Sequence, residues 1–166
     1  MSIRVSLFED NKKYRESISI LIDGTPGFSI AGSFADATDV VLKITQSQPD
    51  VILMDIGMPG MDGISALQEI KKHFPKLNVL MQTVFEDDDK IFESICSGAS
   101  GYILKNTSPS RILEFIEETY HGGAPMSPVI AKKVLQLLLN KSTEKNIAEN
   151  NFDLTARGKR NSFAHG

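Results

Sequence analysis

The tetrapeptide Val51-Ile52-Leu53-Met54 narrows the possible folds more than any other feature of the chain. It shows no polar alternation, so a strand built from it must be covered on both faces. It follows Pro49-Asp50 and stops abruptly at Asp55. Strands of this kind sit in sheets whose crossover connections place helices above and below. The rest of the chain agrees. Residues 3–8 alternate with period two and predict a strand. Tyr14, Ile18, Leu21 and Ile22 recur at helical spacing until Gly24-Thr25-Pro26-Gly27 interrupts them. Residues 28–34 predict a second strand, and residues 36–45 a helix with Val40, Val41 and Ile44 inward. Asp62 predicts the cap of a helix carrying Ile64, Leu67 and Ile70. Residues 79–81 predict a fourth strand and 87–97 a helix with Ile91, Phe92 and Ile95 inward. Residues 102–104 predict a fifth strand, and Pro109 opens a helix with Ile112, Phe115, Ile116 and Tyr120. Five strands alternating with five helices predict a parallel α/β sheet covered on both sides.

Gly122-Gly123-Ala124-Pro125 ends this unit. Residues 128–139 predict a further helix with Ile130, Val134, Leu137 and Leu138 along one stripe, and residues 140–151 are polar and predict a linker. The expected division is therefore a domain over 1–126, a linking or dimerisation helix over 127–141 and a flexible tail over 142–166. An apolar stripe of this kind is expected to pack on the domain or to pair two chains.

Composition excludes several classes. With 41% hydrophobic and 23% charged residues, the chain is not broadly disordered. No apolar run approaches the ~20 residues that cross a bilayer, and Met1-Ser2-Ile3-Arg4 runs directly into a strand pattern, so no membrane partner is expected. The single cysteine, Cys96, allows neither an internal disulfide nor a multi-cysteine zinc site, and the expected location is cytoplasmic. Residues 1–126 carry 11 Lys and Arg against 18 Asp and Glu, a balance of −7. A domain so acidic suits a cation better than a phosphate backbone.

In open α/β sheets the functional crevice lies outside the carboxyl ends of the strands. Those ends here are Glu9 and Asp10, Asp55, Thr83 and Lys105. Three carboxylates on one rim repel each other unless a cation lies between them. All-oxygen ligands suit Mg²⁺. The plainer reading is that the acids cap helices and loops while Lys105 is solvated; it must hold at every strand end at once.

Taken together, Phe8-Glu9-Asp10-Asn11, Asp55-Ile56-Gly57-Met58-Pro59-Gly60-Met61-Asp62-Gly63, Thr83 and Gly98-Ala99-Ser100-Gly101-Tyr102-Ile103-Leu104-Lys105 resemble the receiver domains of two-component response regulators, the CheY-like doubly wound fold. The resemblance spans residues 1 to about 122. It implies a flavodoxin-like sheet of order 2-1-3-4-5. It implies that Asp55 accepts a phosphoryl group from a sensor histidine kinase, and that Glu9, Asp10, Asp55 and the Gly57 carbonyl hold Mg²⁺ (or Mn²⁺). Lys105 becomes the phosphate partner, and Thr83 and Tyr102 the switch pair. The implied role is regulatory rather than enzymatic. Thr83 would move toward the phosphoryl group and vacate space for Tyr102. The readout, and a possible homodimer contact, would be the face of the fourth helix, fifth strand and fifth helix, or helix 128–139. Two positions depart from the family pattern. Asn106 stands where proline often follows the lysine, and Gly57 gives a looser loop.

Other clusters are weaker. Asp87-Asp88-Asp89 reads as an acidic first helical turn, and the methionines as packing. Cys96 reads as an inert small residue, and His73, His121 and His165 show no ligand spacing. A Mg²⁺-dependent phosphatase using Asp55 would want a second acid where Gly57 stands. A stand-alone receiver that titrates a kinase or partner is the other alternative. Asn151-Phe152-Asp153-Leu154-Thr155-Ala156-Arg157 resembles the opening of a LuxR-type helix-turn-helix, departing at Gly158. DNA binding and transcription regulation are thus expected only of a full-length form. One back-translation of residues 158–166, with its first base deleted, gives Glu-Lys-Glu-Ile-Leu-Ser-His-Met, so a frame shift is one expected origin of the tail and a vector-derived end the other.

Overall fold

The computed structural model describes residues 1–84, 87–140 and 142. The chain divides into two units, Met1–Ala131 and Lys132–Gly166. In the first, strands β1 (Ile3–Phe8), β2 (Phe28–Phe34), β3 (Val51–Asp55), β4 (Asn78–Thr83) and β5 (Gly101–Leu104) alternate with helices α1 (Lys12–Asp23), α2 (Val40–Ser47), α3 (Gly63–His73), α4 (Asp88–Cys96) and α5 (Pro109–Tyr120). The strands form one parallel sheet in the order β2-β1-β3-β4-β5. This is the doubly wound flavodoxin-like arrangement. Every residue of β3 is buried, as its unbroken apolar run requires.

Two layers of apolar side chains cover the sheet. On one face Val5, Leu7, Val51, Leu53, Leu80 and Ile103 meet Ile18 and Ile22 of α1 and Ile112, Phe115 and Ile116 of α5. Each such buried side chain contributes about 1.5–3 kcal/mol relative to exposure. The helix starts are built from short acceptors. Asn11 Oδ1 accepts from the Tyr14 amide, Asp62 Oδ1 from Ser65, and Asp87 Oδ1 from Asp89 and Lys90. Asp87-Asp88-Asp89 is thus a cap followed by an acidic first turn, where the helix dipole favours negative charge.

The second helix begins later than residue 36. Asp36 Oδ1 accepts from the Thr38 amide, the Thr38 hydroxyl and Lys43 Nζ. This local turn outcompetes the helix over 36–39, and Asp39, in the left-handed region at φ 51°, then starts α2. After α5, residues 124–127 return to the sheet. Tyr102 N donates to Pro125 O at 3.0 Å, Ser127 N to Tyr102 O at 3.3 Å, and Leu104 N to Ser127 Oγ at 3.0 Å. The first unit therefore reaches past Met126 to Ala131, because this segment is bonded to β5. Residues 128–140 are helical. Ile130 is fully buried, while Leu135, Leu138 and Leu139 are exposed. Residues 143–166, including most of the expected linker and the stretch Asn151-Phe152-Asp153-Leu154-Thr155-Ala156-Arg157, lie outside the described residues. Among the described residues, no helix is long and apolar enough to cross a membrane.

Candidate functional site

Side chains alternate across a strand, so the strand residues of the α1–α5 core predict which later residues share their face. Continuing from Leu7, Leu53, Leu80 and Ile103 gives Glu9, Asp55, Gln82 and Lys105. These four carry an acid, an acid, an amide and an amine in a row at the carboxyl edge of the sheet. Asp10 joins them from the β1–α1 turn. Carboxylate oxygens of Glu9, Asp10 and Asp55 all lie within 4.8 Å of one another. Lys105 Nζ lies 2.5 Å from Glu9 Oε1 and 3.3 Å from Asp55 Oδ1. Glu9 and Asp55 are buried, whereas Asp10 is exposed. The contact with Glu9 Oε1 is an ion pair by distance, without hydrogen-bond alignment.

The backbone holds these acids tightly. Glu9 Oε2 accepts from the Asn11 amide at 3.0 Å, and the Glu9 carbonyl accepts from Arg15 Nη1 at 2.7 Å. Asp55 Oδ1 accepts from the Gly57 amide at 3.2 Å. Gly63 N donates to the Ile56 carbonyl at 2.9 Å, drawing the start of α3 against the end of β3. A Cβ on Gly63 would lie 2.2 Å from the Asp55 carbonyl oxygen, so only glycine allows this approach.

Crowding of like charges shows in the acidities. Burial and the Glu9 charge push the Asp55 carboxyl up to about 7, against the opposing pull of Lys105. For Asp10, partial desolvation is outweighed by its side-chain interactions with Asp55 and Glu9 and by the Lys105 charge, and the carboxyl is held below its usual range. An acid cluster in which one member resists ionisation, open to solvent through Asp10, is one that a divalent cation would relieve. The donors are all oxygen, so the residues fit a hard ion such as Mg²⁺.

Sequence reasoning missed two members of the site. Tyr14, on α1, places its ring under the Lys105 ammonium at 5.0 Å to the centroid, and its hydroxyl donates to Gln82 Oε1 at 3.2 Å. Gln82 is fully buried, and its Nε2 has no partner. The signal was present in the period-two alternation: Gln82 is a polar residue at a core position of β4. Desolvation, together with the Glu9 and Asp55 charges, pushes the Tyr14 phenol up to about 12, so it stays neutral.

Thr83 and Tyr102 occupy the opposite face from Gln82 and Ile103. Thr83 is 1% exposed, and its carbonyl accepts from the Lys105 amide at 2.9 Å. Tyr102 is already fully buried, with no partner for its hydroxyl and its acidity suppressed by desolvation and by Asp87. The peptide between Lys105 and Asn106 is trans. Gly57 is exposed at the rim. Cys96 is exposed, and His73 stands beside Glu69 at 3.6 Å. An apolar cavity of about 500 Å³, lined by Ile44, Pro49, Phe74 and Leu77, adjoins residues preceding β3 and β4, the end of the sheet opposite Asp55.

The comparisons agree with this geometry. The family model for the response regulator receiver domain matches residues 5–117. The chain is 35% identical over 134 residues to the response regulator protein VraR of Staphylococcus epidermidis, covering 81% of this chain and 64% of that one. It is 34% identical over 133 residues to YxjL of Bacillus subtilis, described as an uncharacterized transcriptional regulatory protein, covering 80% and 61%. It thus spans less than two thirds of the length of these relatives. The crystal structure of a two-component response regulator of the LuxR family from Aurantimonas sp. superposes with a TM-score of 0.78 at 28% identity, covering 84% of this chain and 99% of that one. An acid trio at the edge of a 2-1-3-4-5 sheet, a lysine reaching into it and these likenesses have one common explanation: the chain belongs to the response regulator receiver family of two-component systems.

Proposed function

We propose that Asp55 is a transient phosphoryl carrier that receives its group from a sensor histidine kinase with Mg²⁺ (or Mn²⁺) bound. The observation that carries this reading is the convergence of Glu9, Asp10 and Asp55 within 4.8 Å, with Lys105 3.3 Å from Asp55. In the proposed step an Asp55 carboxylate oxygen forms a P–O bond and the bond from phosphorus to the donor breaks, the donor leaving with its electron pair. Glu9, Asp10, Asp55 and the Gly57 carbonyl would hold the cation, which neutralises charge on the transferring group. Lys105 would neutralise the remainder. Asp55 then carries about −1.5 to −2 charges, and Thr83 and Tyr102 would convey the change. The residue two beyond Asp55 has no side chain, so a general acid for turnover of outside substrates is lacking there, which supports a regulatory role over a phosphatase.

The same reading divides the chain into a receiver over 1–126, a linking helix over 127–141 whose first residues, to Ala131, belong to the first unit, and a tail over 142–166. The exposed Leu135, Leu138 and Leu139 support pairing of two chains through that helix. DNA binding and transcription regulation would belong to a longer form, as the length of the relatives supports. The test is incubation with a small acyl-phosphate donor and Mg²⁺, followed by intact mass. One added phosphoryl group is expected on the wild-type chain and none on Asp55→Asn or after chelation of the metal. Equal labelling of Asp55→Asn would refute the assignment.

A further inference from the structure

Among the described residues, Lys105 Nζ lies 2.5 Å from Glu9 Oε1, 3.3 Å from Asp55 Oδ1 and 5.0 Å from the centroid of the Tyr14 ring, and the Asp10 charge also acts on it. The carboxyl groups are acids whose charge changes when a cation binds and when Asp55 is modified. The ring alone keeps the same electronic character throughout. A lysine carries its charge on a flexible four-carbon stem and loses much rotamer freedom when held. A neutral aromatic face can hold an ammonium without competing for it as a counter-ion. Tyr14 is itself fixed at both ends. Its amide is bonded to Asn11 Oδ1, and its hydroxyl is bonded to Gln82, which is fully buried on β4.

We infer that Tyr14, tethered by Gln82, is a positioning residue: its ring is the permanent seat from which Lys105 serves Asp55 as the acidic partners change. The inference rests on the phosphoryl-carrier reading for its functional consequence, but not for the seat itself. The bland alternative is that Tyr14 merely packs α1 onto the sheet. The two differ in one respect. A seat acts through Lys105, so its loss is invisible once Lys105 is gone; a packing role is independent of Lys105.

The experiment is a double-mutant cycle on the full chain. The initial rate of phosphoryl transfer from a small acyl-phosphate donor at saturating Mg²⁺ is measured for wild type, Tyr14→Leu, Tyr14→Phe, Lys105→Ala and Tyr14→Leu/Lys105→Ala. Tyr14→Leu should slow transfer about five- to tenfold, the range of a partly desolvated cation–π contact. Tyr14→Phe keeps the ring and loses only the tether, so about two- to threefold is expected, and it guards against a leucine variant that folds poorly. In the Lys105→Ala background Tyr14→Leu should make no further difference. Mg²⁺ affinity by calorimetry should change less than about twofold in Tyr14→Leu. Equal slowing by Tyr14→Leu with and without Lys105 overturns the inference, as does a Tyr14→Leu rate equal to wild type. A second readout needs no phosphoryl transfer. The Lys105 ε-methylene proton signals should be shifted upfield by the ring and should stay so when Mg²⁺ is added. Unshifted signals in the Mg²⁺-loaded protein overturn the seat on their own, whereas failure of the wild-type chain to accept a phosphoryl group would sink only the carrier reading.

Discussion

Replacing Gly63 by alanine sets two opposite effects against each other at the most constrained point of the site. On propensity alone the change should help, since alanine is favoured over glycine inside a helix by about 0.5–1 kcal/mol. Gly63 is the first residue of α3, which places the gain at the lower end. Sterically, the new Cβ would lie 2.2 Å from the Asp55 carbonyl oxygen and 2.8 Å from both Asp55 C and Ile56 Cα. All three are backbone atoms, so no side chain can rotate away. Ordinary contact begins near 3.4 Å, so α3 and the end of β3 must part by more than 1 Å. Overpacking of this kind costs about 1–3 kcal/mol. The same movement stretches the bond from Gly63 N to the Ile56 carbonyl, whose loss costs about a further 1 kcal/mol. Sterics wins, and Gly63→Ala should lose about 1.5–3.5 kcal/mol in urea denaturation, with the midpoint falling and the slope unchanged. Because two of the three crowded atoms belong to Asp55, transfer from an acyl-phosphate donor should slow as well. Gly57→Ala is the control: nothing lies within 4 Å of its Cβ and its φ is ordinary, so it should be neutral or gain up to about 1 kcal/mol. A Gly63→Ala protein as stable as wild type would refute the claim that close approach, rather than helix propensity, selects glycine there.

Three other outcomes are expected. Burial and Glu9 raise the Asp55 carboxyl to about 7 in the metal-free protein, so the folded chain binds a proton there that the unfolded chain releases near its ordinary value of 3.8. Stability should therefore fall as pH rises from about 4 to about 7 and level off above; Asp55→Asn should abolish that slope in chemical denaturation, and a slope identical to wild type would count against it. The stabilisation by added Mg²⁺, read as a shift in melting temperature, should be larger at pH 8 than at pH 5, because the cation requires the ionised acids; an equal shift at both would contradict the acid cluster as its site. Ser127→Ala leaves the buried Leu104 amide without its acceptor and should cost about 1–3 kcal/mol, measured by the same denaturation, while helix 128–140 keeps its start through the bond from Ala131 N to the Ser127 carbonyl.

Much of this architecture was legible because hydrophobic period and strand ends report directly on burial. The run ending at Asp55 announced a doubly covered strand, and the acids after β1 and β3 announced the cluster. The start of α2 was not legible, since its helical pattern extends over 36–39 while Asp36 uses its carboxylate to hold Thr38 and Lys43 in a turn. Local side-chain hydrogen bonds of this sort compete with helix at little cost and leave no periodic trace. Tyr14 was legible only as a core residue of α1. Its second role depends on an ammonium arriving from the far end of β5, a contact 91 positions away in sequence that no local pattern encodes. The reach of the first unit to Ala131 was hidden for a similar reason. Gly122-Gly123 marks a true helix end, but a chain can stop one helix and still return to the sheet.

The segment at Pro125–Ser127 has a practical consequence for anyone cutting this protein into pieces. β5 is only four residues long and forms one margin of the sheet. Its outward amides, at Tyr102 and Leu104, are satisfied by Pro125 and Ser127, and Gly101 lacks a Cβ where Pro125 O would otherwise collide with it at 2.4 Å. A fragment ended at Gly122 would bare those groups as a template for intermolecular strand addition. Preparations of the first unit should therefore retain residues through Ser127, and those ended at Gly122 should self-associate.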